Sequence, residues 1–193
     1  MLVVIYDIEK RISEMAYKTY YSSPIGELTL AGDDKNIVGL WMQGQKYYGG
    51  TVSEEMIKND ELPIFIKTKN WLDRYFAGEK PSISELSLLP RGGEFRKMIW
   101  DILCEIPYGE LTTYGEISKK VAKKMNRKSM SSQAVGGAVG HNPISIIIPC
   151  HRVVGSNGSL TGFAGGIEKK IKLLELEDVD MLNLSKPQKG TAI

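Results

Sequence analysis

The sequence predicts an α+β fold: a small antiparallel-sheet N-terminal domain followed by a mostly helical C-terminal domain. Strand-forming segments between residues 17 and 42 alternate with turn residues, which is typical of an antiparallel meander. Apolar residues recur at helical spacing in the second half of the chain. An isoleucine-rich run at residues 144–148 ends at Pro149, and proline cannot donate to a sheet. This run is therefore predicted to be a buried strand that ends next to Cys150.

Four segments are predicted along the chain. Residues 1–80 form a scaffold domain of sheet and helix, residues 81–93 a linker rich in proline and glycine, residues 94–180 the second domain, and residues 181–193 a polar tail. In the first domain, strands are predicted at 17–21, 28–31 and 37–42, and a helix at 63–76. Nothing in this domain has the pattern of a catalytic site.

The second domain is predicted to open with an amphipathic helix at 94–106. Thr113 and Glu116 have the spacing of a capping box that starts the next helix. A short helix follows, from Ser131 or Ser132 to Gly140, and the pair is a candidate helix-turn-helix. Two explanations for its small residues stay open, close packing inside the protein or close approach to DNA. A last helix is predicted at 167–178.

Composition excludes several classes of protein. The chain has 193 residues, of which 25% are charged and 42% hydrophobic, as expected for a globular protein with a real core. Two cysteines and two histidines do not suit a disulfide framework or a structural zinc site. The apolar start at residues 1–6 is too short for a signal peptide, and no run reaches transmembrane length. We expect a protein of a reducing compartment without membrane association.

Positive charge is concentrated in the second half. Residues 1–90 carry 10 Lys/Arg and 13 Asp/Glu, a net of −3, whereas residues 91–180 carry 13 and 10, a net of +3. A basic cluster follows Glu116 without an intervening acid and consists of Lys119, Lys120, Lys123, Lys124, Arg127 and Lys128. Such a cluster suits a phosphate backbone, but a solvated helix face explains the charges equally well.

Cys150 is the candidate nucleophile. It follows the predicted buried strand directly, so its thiol would be fixed in space, and His151 and Arg152 come next. Cationic neighbours favour the thiolate, which is the nucleophilic form of cysteine. The alternative is a small buried cysteine that only fills the core.

An ordered set of motifs between residues 92 and 178 decides between these alternatives. The set comprises Pro149 to Val154 (PCHRVV), Ile106 to Glu110 (IPYGE), Thr113-Tyr114, Ala134 to Val139 (AVGGAV), Asn142-Pro143, Gly162 to Gly166 (GFAGG), Lys170, Leu173-Leu174 and Glu177. It resembles the O6-alkylguanine-DNA alkyltransferases, the single-turnover DNA repair methyltransferases. The resemblance is strong over residues 92–178 and weak over residues 17–80.

The resemblance implies a role for each matching residue of the site. Cys150 attacks the alkyl carbon on guanine O6 and keeps the alkyl group, so no cofactor is implied. His151 takes the thiol proton through a bound water, and Glu177 accepts a hydrogen bond from His151. Asn142 ties the site together, and the Tyr114 hydroxyl donates to the guanine ring as charge develops.

The resemblance also implies duplex DNA containing O6-alkylguanine as the partner, with the base flipped out of the stack. The second helix of the pair enters the minor groove in this family. The DNA-contacting residues are then Gln133, Ala134, Gly137, Arg152 and Ser156, and the pocket is lined by Val153, Phe163, Ala164 and Gly165. Gln133 stands where the best-known members have arginine, which predicts weaker DNA binding. Phe163 and Ala164 also depart from residues that occur in the family.

Other classes of protein fit less well. A non-enzymatic alkyltransferase-like binder of damaged DNA commonly has tryptophan in place of the cysteine, and Cys150 argues against it. A helix-turn-helix regulator would not need the Cys-His pair or Glu177, and a Cys-His hydrolase normally brings its two residues from distant segments. We expect a monomer in the cytoplasm, associated with the nucleoid in a prokaryote, or in the nucleus of a eukaryote. The sequence leaves open whether O4-alkylthymine is a second substrate.

Overall fold

The computed structural model describes residues 16–52 and 55–187. Most of the predicted extension at residues 1–16 and the end of the predicted tail, residues 188–193, lie outside the described residues. The mixed α+β architecture predicted from the sequence is confirmed, with the antiparallel sheet in the first half of the chain and the helices concentrated in the second.

The N-terminal sheet has four strands in the order β3-β2-β1-β4. Strands β1 (Tyr17–Ser23), β2 (Gly26–Gly32) and β3 (Ile37–Met42) form the predicted antiparallel meander. Strand β4 (Ile57–Lys58) pairs in parallel with β1. It has only two residues, so no alternation was available in the sequence to predict it.

Helix α1 (Pro63–Phe76) has the predicted bounds, and Pro63 stands in its first turn, where no backbone donor is needed. The predicted linker is ordered by contacts with the sheet. It contains one turn of 3₁₀-helix, Ile83–Glu85. Ile37 of β3 donates to the Ser87 carbonyl at 2.8 Å and accepts from the Leu89 amide at 2.8 Å, so the segment continues the edge of the sheet.

The second half contains four helices and a small two-stranded sheet among the described residues. These elements are α2 (Glu94–Cys104), β5 (Thr112–Thr113), α3 (Tyr114–Lys124), α4 (Ser132–Gly140), β6 (Val153–Val154) and α5 (Ile167–Leu176). The predicted capping box is present, since Thr113 Oγ1 accepts from the Glu116 amide and the Glu116 carboxylate accepts from the Thr113 amide. β5 pairs in parallel with β6 and so joins the start of α3 to the segment after Cys150.

The predicted strand at residues 144–148 is wrong, although its burial is confirmed. The run forms successive turns, and Ile146 has a left-handed φ of 73°. Only its first residue pairs with the sheet, in an isolated bridge between Ile144 and Leu40. The amides of Ile147 and Ile148 bond within the run, to the Ser145 carbonyl at 2.9 Å and the Ile144 carbonyl at 3.0 Å. The isoleucine side chains of this run are buried because they are apolar. Beyond the Leu40 bridge, no neighbouring strand among the described residues pairs with the run to continue a β-ladder.

One hydrophobic core extends through both halves of the chain. Leu40 and Met42 of β3 belong to the same cluster of buried side chains as Trp100 of α2 and Ile147. The sheet is therefore packed directly against the segment that leads to Cys150. In the part of the chain that the structure describes, no helix is both long and apolar enough to cross a membrane.

Candidate active site

Cys150 begins a single turn of 3₁₀-helix, Cys150–Arg152, directly after the buried turns. Its side chain is buried, with a relative exposure of 5% for the residue. Asn142 Nδ2 donates to Cys150 Sγ at 3.1 Å and also to the Ile148 carbonyl at 2.8 Å, while Asn142 Oδ1 accepts from the Ile144 amide at 3.0 Å. One asparagine thus holds both ends of the buried turns and contacts the thiol.

Burial raises the pKa of the Cys150 thiol, because a thiolate loses its hydration there. Four groups oppose this effect by stabilising the thiolate. They are the Asn142 amide, the positive charge of Lys170, and the backbone amides of Cys150 and His151. The expectation that the His151 and Arg152 side chains supply this stabilisation is not supported, because both are directed toward Glu177. The resting thiol is therefore protonated and needs a base.

His151 is the candidate for that base. Its Nε2 lies 2.7 Å from Glu177 Oε1, and both side chains are completely buried. A carboxylate only accepts, so Nε2 carries the proton and Nδ1 presents its lone pair. Nδ1 has no hydrogen-bond partner among the described residues. Burial lowers the pKa of His151, which keeps the imidazole neutral and able to accept a proton.

Glu177 caps the end of α5 and is the centre of the hydrogen-bond network. Burial alone would raise the pKa of its carboxyl group, but hydrogen bonds from His151 and Arg152 outweigh burial and hold the pKa far below its usual range. Arg152 donates to both carboxylate oxygens, at 2.8 and 2.9 Å, and to the Ile106 carbonyl. The buried carboxylate is thus paired with a buried guanidinium.

The structure does not support the predicted DNA contact of the Arg152 side chain. Arg152 is only 5% exposed, and its guanidinium is engaged by Glu177 and the Ile106 carbonyl. The family resemblance implied this contact but not the direction of the side chain, and in a 3₁₀-helix successive side chains point in different directions. The structure instead assigns Arg152 to the support of Glu177.

Two further residues that sequence reasoning missed donate to the same carboxylate. The Tyr75 hydroxyl of α1 donates to Glu177 Oε1 at 2.6 Å, and the Gly109 amide donates to Oε2 at 3.1 Å. Gly109 has a φ of 76°, and a Cβ at this position would come within 2.8 Å of the Glu177 carbonyl. The glycine of the IPYGE motif is therefore required by close approach, whereas Tyr75 had no sequence signal beyond a buried helical position.

Lys170 is another residue of the site whose role sequence reasoning missed. It belongs to the ordered set of motifs but had no assigned role. It is completely buried, and its Nζ donates to the carbonyls of Val153 at 2.5 Å and Thr161 at 3.0 Å. Burial lowers the pKa of Lys170 to about 8, and a charge on Cys150 acts in the opposite direction. Lys170 therefore fixes the backbone on either side of the pocket and places positive charge near the thiol.

Tyr114 is the first residue of α3, and its side chain lies near the Cys150 thiol. Its hydroxyl donates to the Thr161 carbonyl at 3.2 Å, and its ring is within 3.8 Å of the position where a Cβ on Gly136 would lie. Burial raises its pKa, and a charge on Cys150 raises it further. Tyr114 is consequently a hydrogen-bond donor near the thiol rather than a group that loses its proton readily.

Two of the predicted pocket residues, Val153 and Phe163, contact groups of this centre. Val153 is completely buried, and the Phe163 ring lies edge-on to the His151 ring at 6.5 Å between centroids. Ala164 and Gly165 contact the first half of the chain. The Ala164 carbonyl accepts from the Lys46 amide at 3.1 Å, and a Cβ on Gly165 would come within 2.6 Å of Met42 Sδ.

The packing explanation for the small residues of α4 is confirmed on one side of the helix, and the other side is open. Gly136 faces Tyr114, and the Ala138 carbonyl accepts from Trp100 Nε1 at 3.0 Å, so this side is packed. Gln133 and Ala134 are exposed, and a Cβ on Gly137 would meet nothing within 4 Å. Ser156, the other predicted DNA-contacting residue, is exposed in the turn after β6.

The basic cluster is exposed, but two of its members have an acidic partner from outside the run. Lys120 and Lys124 lie 3.3 and 3.4 Å from the Glu105 carboxylate at the end of α2. Lys119, Lys123, Arg127 and Lys128 surround a separate cavity of about 590 Å³ beside the turn between α3 and α4. No group of acidic, histidine and cysteine side chains in the described ranges has the arrangement of a metal site.

Two family models match this chain over separate ranges. The family model described as "6-O-methylguanine DNA methyltransferase, DNA binding domain" matches residues 94–179, and that of the "ribonuclease-like domain" of the same methyltransferase matches residues 16–90. The chain belongs to the 6-O-methylguanine DNA methyltransferase family. The two matches meet within the segment predicted as a linker, and the first of them contains Cys150 and Glu177.

Curated relatives in this family carry the name methylated-DNA–protein-cysteine methyltransferase. The relative from Haemophilus influenzae is 44% identical over 86% of this chain and 89% of its own length. The relative from Methanosarcina acetivorans is 45% identical over 83% of this chain and 97% of its own length. A solved O6-methylguanine methyltransferase of Mycobacterium tuberculosis is 40% identical, with a TM-score of 0.71 over 84% of this chain and 93% of that one. The Mycobacterium tuberculosis protein has also been solved in complex with DNA, at 41% identity and a TM-score of 0.71 over 83% of this chain and 92% of that one.

Proposed function

We propose that this methyltransferase repairs duplex DNA by moving an alkyl group, foremost methyl, from guanine O6 to Cys150. The S–C bond forms as the C–O6 bond breaks, and the thioether is permanent, so each molecule reacts once. The observation that carries the proposal is the arrangement of Cys150, His151 and Glu177, in which the neutral imidazole presents an unpartnered Nδ1. A base oriented by a carboxylate next to a buried thiol is the arrangement that activates a nucleophile.

The proton of the thiol passes to His151 Nδ1 through a water molecule. The imidazolium that forms is stabilised by Glu177, which stays ionised because Arg152 pairs with it. Positive charge on Lys170 and the Asn142 amide support the thiolate at the moment of attack. Burial, which raises the thiol pKa at rest, also removes water that would otherwise solvate and weaken the nucleophile.

The departing guanine needs a proton in return for the one that Cys150 gives up. Tyr114 supplies a hydrogen bond to the guanine ring as negative charge develops there, after its hydroxyl leaves the Thr161 carbonyl. The raised pKa of Tyr114 suits a donor that does not ionise before the base arrives. The proton balance closes when the neutral guanine leaves and the imidazole returns to its neutral form.

The target base reaches Cys150 only if it leaves the duplex, because the thiol lies inside the protein. Helix α4 would enter the minor groove with its exposed side, formed by Gln133, Ala134 and Gly137. Small side chains permit close approach to the groove, and Gln133 fills the space that the flipped base leaves. We propose that the protein acts as a monomer, in the cytoplasm of a prokaryote or in the nucleus of a eukaryote.

Intact mass spectrometry tests the proposal. After incubation with a duplex oligonucleotide containing one O6-methylguanine, the protein should gain the mass of one methylene (methyl replacing hydrogen) at a 1:1 ratio. The Cys150→Ala variant should gain none, and Cys104→Ala, which removes the other thiol, should react like the wild type. A gain that persists in Cys150→Ala, or turnover beyond one methyl group per molecule, would contradict the assignment.

The second candidate is a non-enzymatic protein that binds alkylated DNA. The burial of the Cys150 thiol is the observation that favours it, since a protonated thiol with restricted access reacts slowly. Tight binding to the lesion duplex without any mass gain would select this alternative. Repeating the incubation with a duplex carrying O4-methylthymine decides whether that lesion is also a substrate.

A further inference from the structure

Tyr47 and His141 form an aromatic pair that joins the two halves of the chain. Tyr47 lies in the loop that follows β3, and His141 is the residue that ends α4. Their ring centroids are 3.9 Å apart and the planes are inclined by 21°, so the rings are stacked. His141 Nδ1 is 2.6 Å from the Gly137 carbonyl, and because a carbonyl only accepts, the ring nitrogen donates and the ring orientation is fixed.

The backbone of Tyr47 is strained. Its φ is 63°, in the left-handed region that is costly for a large side chain. Neighbouring residues impose this conformation. The buried Gln45 accepts from the Met42 amide and from Ser145 Oγ, both at 3.1 Å, and the Lys46 amide donates to the Ala164 carbonyl. The Tyr47 residue itself remains 38% exposed, so its burial alone does not explain why a tyrosine is held there.

Tyr47 and His141 line a cavity of about 610 Å³, and residues of the proposed DNA surface line the same cavity. Its other walls include Tyr114, Gln133, Gly137 and Thr161. Lys46 Nζ lies 5.1 Å from the centroid of the Tyr47 ring and brings positive charge to this region. The cavity therefore borders the side of α4 that faces DNA in the proposed function. One of its lining residues, Tyr114, also interacts electrostatically with Cys150.

We propose that Tyr47 and His141 form a stacking platform for a nucleobase of the bound duplex, so that the first half of the chain takes part in DNA binding. The inference rests on the proposed function. A base that is flipped, or that loses its neighbour when the next base flips, exposes a flat π-face. Aromatic side chains next to positive charge are the usual partners of such a face. The Lys46 ammonium suits the adjoining phosphate.

The first test compares methyl transfer from a duplex with methyl transfer from free O6-methylguanine. Loss of a base-stacking aromatic group should slow the Tyr47→Ala variant at subsaturating duplex by about 5-fold to 100-fold more than it slows reaction with the free base. Tyr47→Trp should restore the duplex rate. Tyr20→Ala, which removes a similarly exposed tyrosine from β1, is the control and should react with the duplex like the wild type.

Replacing Tyr47 with glycine separates the effect of the ring on DNA binding from its effect on the stability of the fold. Tyr47→Gly accepts a positive φ without cost, so its melting temperature should equal or exceed that of the wild type while its reaction with duplex DNA falls. A lower melting temperature with an unchanged duplex rate would show that the ring is structural and would overturn the proposal. Failure of the wild type to accept methyl at all would instead overturn the proposed function.

A fluorescent base supplies a readout that a structural role would not change. 2-Aminopurine can be placed opposite O6-methylguanine, or on either side of it, in three separate duplexes bound to Cys150→Ala. Stacking on the platform should quench the fluorescence at one position, and adding Tyr47→Ala should restore it. Identical fluorescence with and without the Tyr47 ring at all three positions would contradict the inference.

Discussion

The Tyr75 hydroxyl donates a 2.6 Å hydrogen bond to Glu177 Oε1, although 102 residues separate the two in sequence. The same carboxylate oxygen lies 2.7 Å from His151 Nε2. Burial and the Glu177 charge hold the pKa of Tyr75 well above its usual range, so the tyrosine stays a donor. Helix α1 of the first half therefore helps to position the carboxylate that bonds to His151 in the second half.

Tyr75→Phe should lower the free energy of unfolding by about 2 kcal/mol, because a buried hydrogen bond to a charged acceptor is lost while the ring remains. Urea denaturation measures this change. Tyr21→Phe is the control, since its hydroxyl donates to Asp73 on the surface at 2.8 Å, and it should cost less than about 0.5 kcal/mol. Equal losses of unfolding free energy in the two variants would show that the hydrogen bond from Tyr75 to Glu177 does not stabilise the fold.

Arg152→Met tests whether Arg152 supports Glu177 or binds DNA. The substitution leaves a buried carboxylate without its guanidinium, which should cost about 3 kcal/mol or more in the free energy of unfolding. Arg127→Met on the exposed basic cluster should leave stability within about 0.5 kcal/mol. Thermal or urea denaturation of both variants decides the point. A stable Arg152→Met protein with weakened DNA binding would restore the surface role.

Methylation of Cys150 should destabilise the folded protein. The methyl group enters a packed site in which Asn142 Nδ2 lies 3.1 Å from Sγ, and overpacking of this kind costs about 1–3 kcal/mol. Calorimetry before and after reaction with the lesion duplex, with the DNA removed, measures the change in melting temperature. Identical melting temperatures would mean that the site expands without cost.

Gln133→Ala should slow repair in duplex DNA far more than it slows reaction with free O6-methylguanine. Gln133 is exposed on α4, and its proposed role is to fill the gap left by the flipped base, which exists only in a duplex. Gln133→Arg should tighten duplex binding, because it adds a charge near the phosphates. Single-turnover rates with the two substrates test both statements, and equal losses on both substrates in Gln133→Ala would contradict the role.

Lys170 should impose a characteristic pH dependence on stability. Its pKa falls from 10.5 in the unfolded chain to about 8 in the folded protein. Between these values the unfolded state binds more protons, so stability from this group increases as pH rises from about 8 to 10.5. The full effect of such a shift is about 3 kcal/mol.

The measurement compares slopes of unfolding free energy against pH in a Cys150→Ser background, which removes the titration of the thiol. Adding Lys170→Met should reduce the slope above pH 8. Lys172→Met, which changes an exposed lysine of the same helix, should leave the slope as it was. A slope that is unaffected by Lys170→Met would mean that the lysine is solvated in the folded state.

The positions of most helices could be predicted from the sequence because their determinants are local. The bounds of α1 and the capping of α3 by Thr113 and Glu116 follow from residues within one or two turns. The buried turns before Cys150 could not be predicted, because isoleucine specifies burial and strand formation depends on a neighbour. Leu40 supplies a bridge only at Ile144.

The sequence by itself determined the α+β class, the family and the candidate nucleophile, since each rests on a pattern of nearby residues. Tertiary structure alone decided that Arg152 points inward, that Tyr75 reaches Glu177, and that Tyr47 stacks on His141. These contacts join distant segments through side-chain directions that packing selects. Local sequence patterns determine which segments form, but the direction of each buried polar side chain is set by where its partner lies in the folded core.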